Sequence, residues 1–334
     1  MNGRFDLLRF SSDGHYILAQ DESMIAVLTV QPLAVVLRRR AEKIALAGFM
    51  PDSKEVWLVS RPPHVISDSL QFAGSHSSVE RWRISDGRRV DQRELPLREC
   101  RSFGLSPNAK FLGCVDREGT LSFFDIDAQK TIFVKKKFGK YFLIDSSDRE
   151  PLGSTASGDP GSADIYFSPD SRYGVATPLF ADGSTVAWDL IDQTQLKLRS
   201  GLKHFERGYT ADFVTAEQVL ISPFELGHPT VVATLVSFPS GDVLMKFKVP
   251  PGRLLPAADP RFALLRPFGK HARLYDSAQR MAAIDYRTGE VIVSDAQTLD
   301  VFGEHYVTEE LANGNIGVYR RHYGLEASIA VDGR

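Results

Sequence analysis

The sequence predicts an all-β chain, a β-propeller of about seven four-stranded blades, on three observations. One turn spelling recurs along the chain, alternating apolar runs flank each copy, and helical periodicity is poor throughout. The 334 residues include 26 glycines and 18 prolines, which suits short strands joined by tight turns.

In chain order, Phe5–Phe10 reads as an innermost strand, and Phe10-Ser11-Ser12-Asp13-Gly14-His15-Tyr16 as the corner into a second strand. The same corner returns at Phe49-Met50-Pro51-Asp52-Ser53-Lys54, at Leu105-Ser106-Pro107-Asn108-Ala109-Lys110-Phe111 and at Phe167-Ser168-Pro169-Asp170-Ser171-Arg172-Tyr173. Weaker copies stand at Phe213-Val214-Thr215-Ala216-Glu217 and Ala258-Asp259-Pro260-Arg261-Phe262. Pro presets φ in such a turn, and Asp or Asn accepts local backbone N–H groups. A second hairpin follows each first one. Its leading strand ends in Arg81-Trp82-Arg83-Ile84, Phe123-Phe124-Asp125-Ile126, Ala187-Trp188-Asp189-Leu190 or Ala283-Ile284-Asp285-Tyr286. Turns such as Ser85-Asp86-Gly87-Arg88, Pro239-Ser240-Gly241-Asp242 and Arg287-Thr288-Gly289-Glu290 lead to a final strand. Two hairpins make a blade, and with a weaker last copy over Val301–Val331 the blades fall at roughly 5–40, 43–95, 100–135, 164–200, 210–248, 254–294 and 298–332. Their repeat of about 48 residues matches blade lengths. All belong to one propeller domain spanning 1–334.

At these residues the chain resembles the WD-repeat and bacterial WD-like propellers, over nearly its whole length. Only one literal Trp-Asp pair is present, Trp188-Asp189, and Gly-His does not recur at the opening of each unit as it does in eukaryotic WD repeats, standing only at Gly14-His15, inside a corner, and at Gly227-His228. The resemblance therefore implies the fold and no activity. It also implies that the Asp-His-Ser-Trp network of those repeats is missing, leaving stability to hydrophobic packing between blades. Phe5–Phe10 and Ala327–Val331 complete the two terminal blades separately, so either the ring closes by side-chain packing alone, which is the first expectation, or the chain is a piece of something longer.

Forty basic against forty-two acidic residues give a formal net charge of −2, which exerts no general pull on nucleic acid or an anionic membrane. A local basic patch is compatible with that total. No basic-then-apolar leader and no apolar run of spanning length is visible, so a cytoplasmic location is expected. Cys100 and Cys114 flank the turn at Pro107 and read as two buried apolar thiols in preference to a disulfide.

The extra length collects in particular connections. In an up-and-down blade the second-to-third connection and the blade-to-blade connection leave on the same face, opposite both hairpin turns. Arg61–Ser77, Thr177–Ser184, Pro223–Pro229, Pro267–Ser277 and Lys135–Ala163 are all of these two kinds. Insertions in repeat folds cluster on the binding face, so this face is expected to bind. Its candidate partner-binding residues are His64, His76, Lys136, Tyr141, Phe180, His228 and His271. Lys135-Lys136-Lys137 with Phe138 and Tyr141 could engage a nucleic-acid strand or acidic peptide, but reads first as a solvated lysine run, as does Arg38-Arg39-Arg40.

No phosphate loop, nucleophile elbow, calcium loop or paired-histidine motif occurs. The eight histidines are scattered, and no catalytic residue, cofactor or metal ligand can be named. The reading is a non-catalytic protein-interaction scaffold whose partner is a protein or peptide, without membrane contact and with nucleic acid disfavoured. The alternative is a metal-dependent hydrolase or lactonase with a site in the central channel. Its candidate acids are Asp21, Glu22, Asp116, Glu118, Asp182 and Glu225.

Overall fold

The computed structural model describes residues 5–41, 44–60, 77–96, 100–116, 118–138, 163–178, 185–197, 209–223, 230–249, 252–267, 281–293, 298–309 and 315–331. It is an all-β seven-bladed propeller of four-stranded antiparallel blades. Blade 1 comprises β1 (Leu7–Phe10), β2 (Tyr16–Gln20), β3 (Met24–Thr29) and β4 (Ala34–Arg40). Blade 2 comprises β5 (Ile44–Phe49), β6 (Glu55–Ser60), β7 (Ser77–Arg83) and β8 (Arg89–Leu95). Blade 3 comprises β9 (Cys100–Leu105), β10 (Phe111–Asp116), β11 (Leu121–Asp125) and β12 (Lys130–Lys135). Blade 4 comprises β13 (Ala163–Phe167), β14 (Tyr173–Pro178), β15 (Val186–Asp189) and β16 (Thr194–Leu196). Blade 5 comprises β17 (Tyr209–Thr215), β18 (Gln218–Pro223), β19 (Val231–Ser237) and β20 (Val243–Val249). Blade 6 comprises β21 (Gly252–Pro256), β22 (Phe262–Pro267), β23 (Ala282–Asp285) and β24 (Val291–Val293). Blade 7 comprises β25 (Leu299–Phe302), β26 (His305–Glu309), β27 (Asn315–Arg320) and β28 (Gly324–Ala330).

The recurring spelling has a hydrogen-bond basis. In blade 4, Tyr173 N–H donates to Ser168 Oγ (2.8 Å), Ser168 Oγ–H to Asp170 Oδ1 (2.5 Å) and Arg172 N–H to the same oxygen (3.1 Å). Blade 3 repeats this through Ser106 and Asn108, and blade 1 through Ser11 and Asp13. The fourth turn position is left-handed: Gly14, Ser53, Ala109 and Ser171 have φ of 72°, 57°, 55° and 62°. Two of these are serines, against the conformational preference, and both are buried. Ser171 Oγ accepts Asn108 N–H (3.0 Å) and Ser53 Oγ shares a hydrogen bond with Ser12 Oγ (2.9 Å), so each joins its turn to the preceding blade.

A second tie binds the two hairpins of every blade. The N–H just beyond the third strand donates to the carbonyl just before the second: Val30 to His15, Ile84 to Lys54, Ile126 to Lys110, Leu190 to Arg172, Phe238 to Glu217, Tyr286 to Arg261 and Arg321 to Glu304. Side chains reinforce it in blade 4, where Arg172 Nε lies 2.9 Å from Asp189 Oδ2. Blade 7 reverses the signs, with Glu304 at the corner and Arg320 at the strand end, 3.5 Å apart.

Second and third strands are buried almost throughout, as in β2, β3, β6 and β10, while the fourth strands β8, β20 and β28 are largely exposed. Blade faces covered by a neighbour account for this: both faces of the middle strands exclude water, at about 1.5–3 kcal/mol per fully buried Leu, Ile or Phe.

The chain divides into two compact units. One, Met1–Arg98 with Leu255–Pro267 and Ser277–Arg334, holds blades 1, 2 and 7 and most of blade 6. Here the N-terminal blade packs on the C-terminal one, and among the described residues the two exchange no strand. Leu8, Phe10, Ile17, Met24 and Leu28 meet Val307, Ile316, Val318 and Val331 in one core. Packing is not the whole of the contact. The buried Asp300 carboxylate accepts Phe10 N–H from blade 1 (2.8 Å), Ala258 N–H from blade 6 (3.0 Å) and Val301 N–H from its own blade (2.9 Å). Phe302 covers Gly14 so closely that no Cβ could stand there.

The other unit, Glu99–Leu254 with Phe268–Asp276, holds blades 3 to 5. Phe111, Phe123, Phe167, Ala176 and Leu190 pack blade 3 on blade 4, with Phe123 and Phe167 edge-on at 6.0 Å. Tyr166, Val175 and Ala187 pack blade 4 on Phe213, Ile221 and Phe238 of blade 5. A Cβ at Gly104 would stand 2.8 Å from the Ile165 carbonyl oxygen, which explains glycine inside a strand. The two cysteines correct the expectation of free thiols: Cys100 and Cys114 form a disulfide between β9 and β10, Cα atoms 5.4 Å apart. The register shift between Val115 and Asp116 sets Cys100 opposite Asp116, two residues along from Cys114. A 14-residue spacing across a turn is equally compatible with two thiols, so the sequence could not decide between them.

Candidate functional site

The up-and-down strand order fixes which connections share an end. Within the blades 3–5 unit, the chain leaves the same strand ends between Lys135 and Ala163, Pro178 and Val186, Leu196 and Tyr209, and Pro223 and Val231. Within the other unit, the intervals Ser60 to Ser77, Pro267 to Ala282 and Glu309 to Asn315 are of this kind. The opposite ends carry only the short hairpin turns.

Side chains at the turn ends are committed to the fold. Asp189 caps Ile191 and Asp192 N–H groups (3.0 and 2.9 Å), Asp285 caps Arg287 and Thr288, and Asp125 caps Ala128. Burial alone would raise the Asp189 carboxyl, but the Asp192 N–H, the Arg172 guanidinium and the Ile191 N–H hold it below the usual carboxylate range. Asp259 behaves alike: burial opposes ionisation, while Arg261 and the Gly303 N–H (3.0 Å) outweigh it. At the single Trp-Asp pair, Asp189 pairs with Arg172, and among the described residues the buried Trp188 Nε1 has no hydrogen-bond partner.

Asp300 has the opposite balance. Desolvation exceeds the help of Arg9 and three N–H donors, and its carboxyl is pushed up to about 6. It lies inside the blade 6–7–1 contact, where no substrate reaches it.

Of the predicted partner-binding residues, His64, His76, Tyr141, Phe180, His228 and His271 lie outside the described residues, as do Asp182 and Glu225. Lys136 is described, exposed in the turn after β12. Two candidate acids of the hydrolase reading are turn caps: Asp21 Oδ1 accepts Ser23 and Met24 N–H (both 2.7 Å), and Asp116 Oδ1 accepts Glu118 and Thr120 N–H (2.9 and 2.8 Å). Among the described residues, no group of three His, Cys, Asp or Glu side chains could hold a metal ion. Arg39 departs from the solvated-run reading. Its guanidinium stacks 4.1 Å from the Trp82 ring and donates to the Gly87 carbonyl, clamping blade 1 to blade 2, whereas Arg38 and Arg40 are exposed.

Comparison with solved structures agrees with this architecture. The β-propeller domain of Myceliophteria thermophila Cps50 (Swd1) superposes with a TM-score of 0.57 at 12% identity, covering 95% of this chain and 96% of that one. Hydrazine synthase of Kuenenia stuttgartiensis gives a TM-score of 0.58 at 10% identity, covering 96% of each. These likenesses show the fold alone, one neighbour being a WD40 propeller and the other an enzyme. No protein-family model and no curated protein matches the sequence.

Proposed function

We propose that the chain is a protein-interaction scaffold that presents its loop-bearing strand ends to a protein or peptide. One observation carries this reading. The turn ends spend their polar side chains on internal hydrogen bonds, while the long connections leave from the opposite strand ends in each unit. Loops on a rigid frame supply recognition without disturbing the core.

The test compares two variant sets in capture from a lysate of the source organism. Replacing 62–75 and 142–161 by short Gly-Asn turns should abolish capture of the principal partner. Charge reversal at Lys130 and Arg287 on the turn side should leave it intact. The reverse pattern refutes the assignment, and metal-dependent turnover of a lactone or ester panel that a chelator abolishes replaces it with the hydrolase.

A further inference from the structure

The chain as a whole is nearly neutral, yet one charge is segregated within the blades 3–5 unit. Its three outermost strands, β12, β16 and β20, with the residues that directly follow them, carry Lys130, Lys135, Lys136, Lys137, Lys197, Lys246 and Lys248 and no Asp or Glu. Among the described residues none of these lysines has an ion-pair partner, and all but the half-buried Lys135 are exposed. In contrast, the arginines of β7 and β8 in blade 2 are largely neutralised, Arg81 by Glu55, Arg89 by Glu80 and Arg93 by Asp91.

Strand direction adds a second regularity. Every fourth strand runs from a hairpin turn toward the loop-bearing end, so all these lysines except Lys130 and the mid-strand Lys246 lie in or beyond the second half of their strands. Exposed aliphatic side chains accompany them there. Val134 is 53% exposed beside Lys135, and Val232, 46% exposed, is the cross-strand partner of Lys248. Acids at this end of the unit, Asp116, Glu118 and Asp164, stand on or beside the first and second strands and not on the outermost ones.

We propose that this lysine rim of blades 3–5 docks on an anionic lipid bilayer, independently of the partner bound by the loops. Unpaired lysines on flexible stems suit a diffuse, laterally mobile field of headgroup charge. Specific phosphodiester recognition favours guanidinium forks and exposed stacking rings, and these outer strands carry no arginine. The exposed valines have a use against a bilayer interface and none against a sugar-phosphate chain.

The test is co-sedimentation of the full chain with large vesicles of phosphatidylcholine alone or with about 30% phosphatidylserine. The expected result is binding to the anionic vesicles only, declining as salt rises from about 50 to 500 mM as surface charge is screened. Lys136→Glu, Lys197→Glu and Lys246→Glu together, one per blade, should lower partitioning about a hundredfold, each lysine contributing about fivefold. Lys→Gln at the same positions guards against misfolding and should weaken binding in the same direction. Arg83→Glu with Arg88→Glu in blade 2 should have little effect. Equal binding to neutral vesicles, no binding to anionic ones, or unchanged binding by both lysine sets overturns the proposal. So does tighter capture of duplex DNA through the same lysines, which would assign the rim to nucleic acid.

Discussion

Replacing Asp300 by Ala tests how the terminal blades are held together. Phe10, Ala258 and Val301 all donate N–H groups to this one fully buried carboxylate, from three blades. Removing the acceptor leaves three buried donors unpaired, and at about 1 kcal/mol each the unfolding free energy should fall by about 3 kcal/mol at pH 5. The loss should be smaller at pH 7.5, because there the wild-type chain carries an ionised, desolvated carboxyl. With the folded-state pKa raised from 3.8 to about 6, the native protein holds a proton that the unfolded chain has released. The stability this proton confers is full below about pH 4 and is lost as pH rises through 6, some 3 kcal/mol in all. Asp300→Asn, which never ionises, should abolish that slope and lie between wild type and Ala at pH 5. Urea unfolding followed by tryptophan fluorescence at pH 4.5, 6 and 7.5 measures both effects. An Ala variant as stable as wild type at pH 5, or a slope that persists in Asn, would refute the assignment of Asp300 as the tie.

Thiol titration of the denatured protein should find no free cysteine. Cys100→Ser with Cys114→Ser should cost about 3 kcal/mol, the value for a cross-link closing a loop of about 15 residues. Ser168→Ala removes the buried acceptor of Tyr173 N–H and should lower stability by about 1–2 kcal/mol in the same urea assay. Gly104→Ala pushes a methyl against the Ile165 carbonyl oxygen and should cost about 1–3 kcal/mol in the same assay.

The blades were legible because their signals are local. A Ser-Pro-Asp corner such as Ser168-Pro169-Asp170 satisfies its own backbone within six residues, and apolar alternation marks the strands on either side. The ends of the long connections were legible for a related reason, since strand order alone assigns them to one side. What escaped was whatever depends on partners distant in sequence. Asp300 sits in an ordinary apolar strand, and only closure of the blade 7–1 contact brings Phe10 N–H to it. Arg39 reads as one of three solvated arginines until Trp82 of the next blade is placed beneath it. The left-handed serines Ser53 and Ser171 likewise make sense only with the adjoining turns in position. Of the lysine rim only the run Lys135-Lys136-Lys137 could be read, and its company with Lys197, Lys246 and Lys248 on successive outermost strands needed the blade register.

The most direct test of the interaction reading is hydrogen–deuterium exchange of the full chain, free and bound to its captured partner. The account predicts added protection in peptides spanning 61–76, 136–162 and 268–281, with the turn peptides 105–111 and 167–173 unchanged. Protection confined to those turn peptides would contradict it.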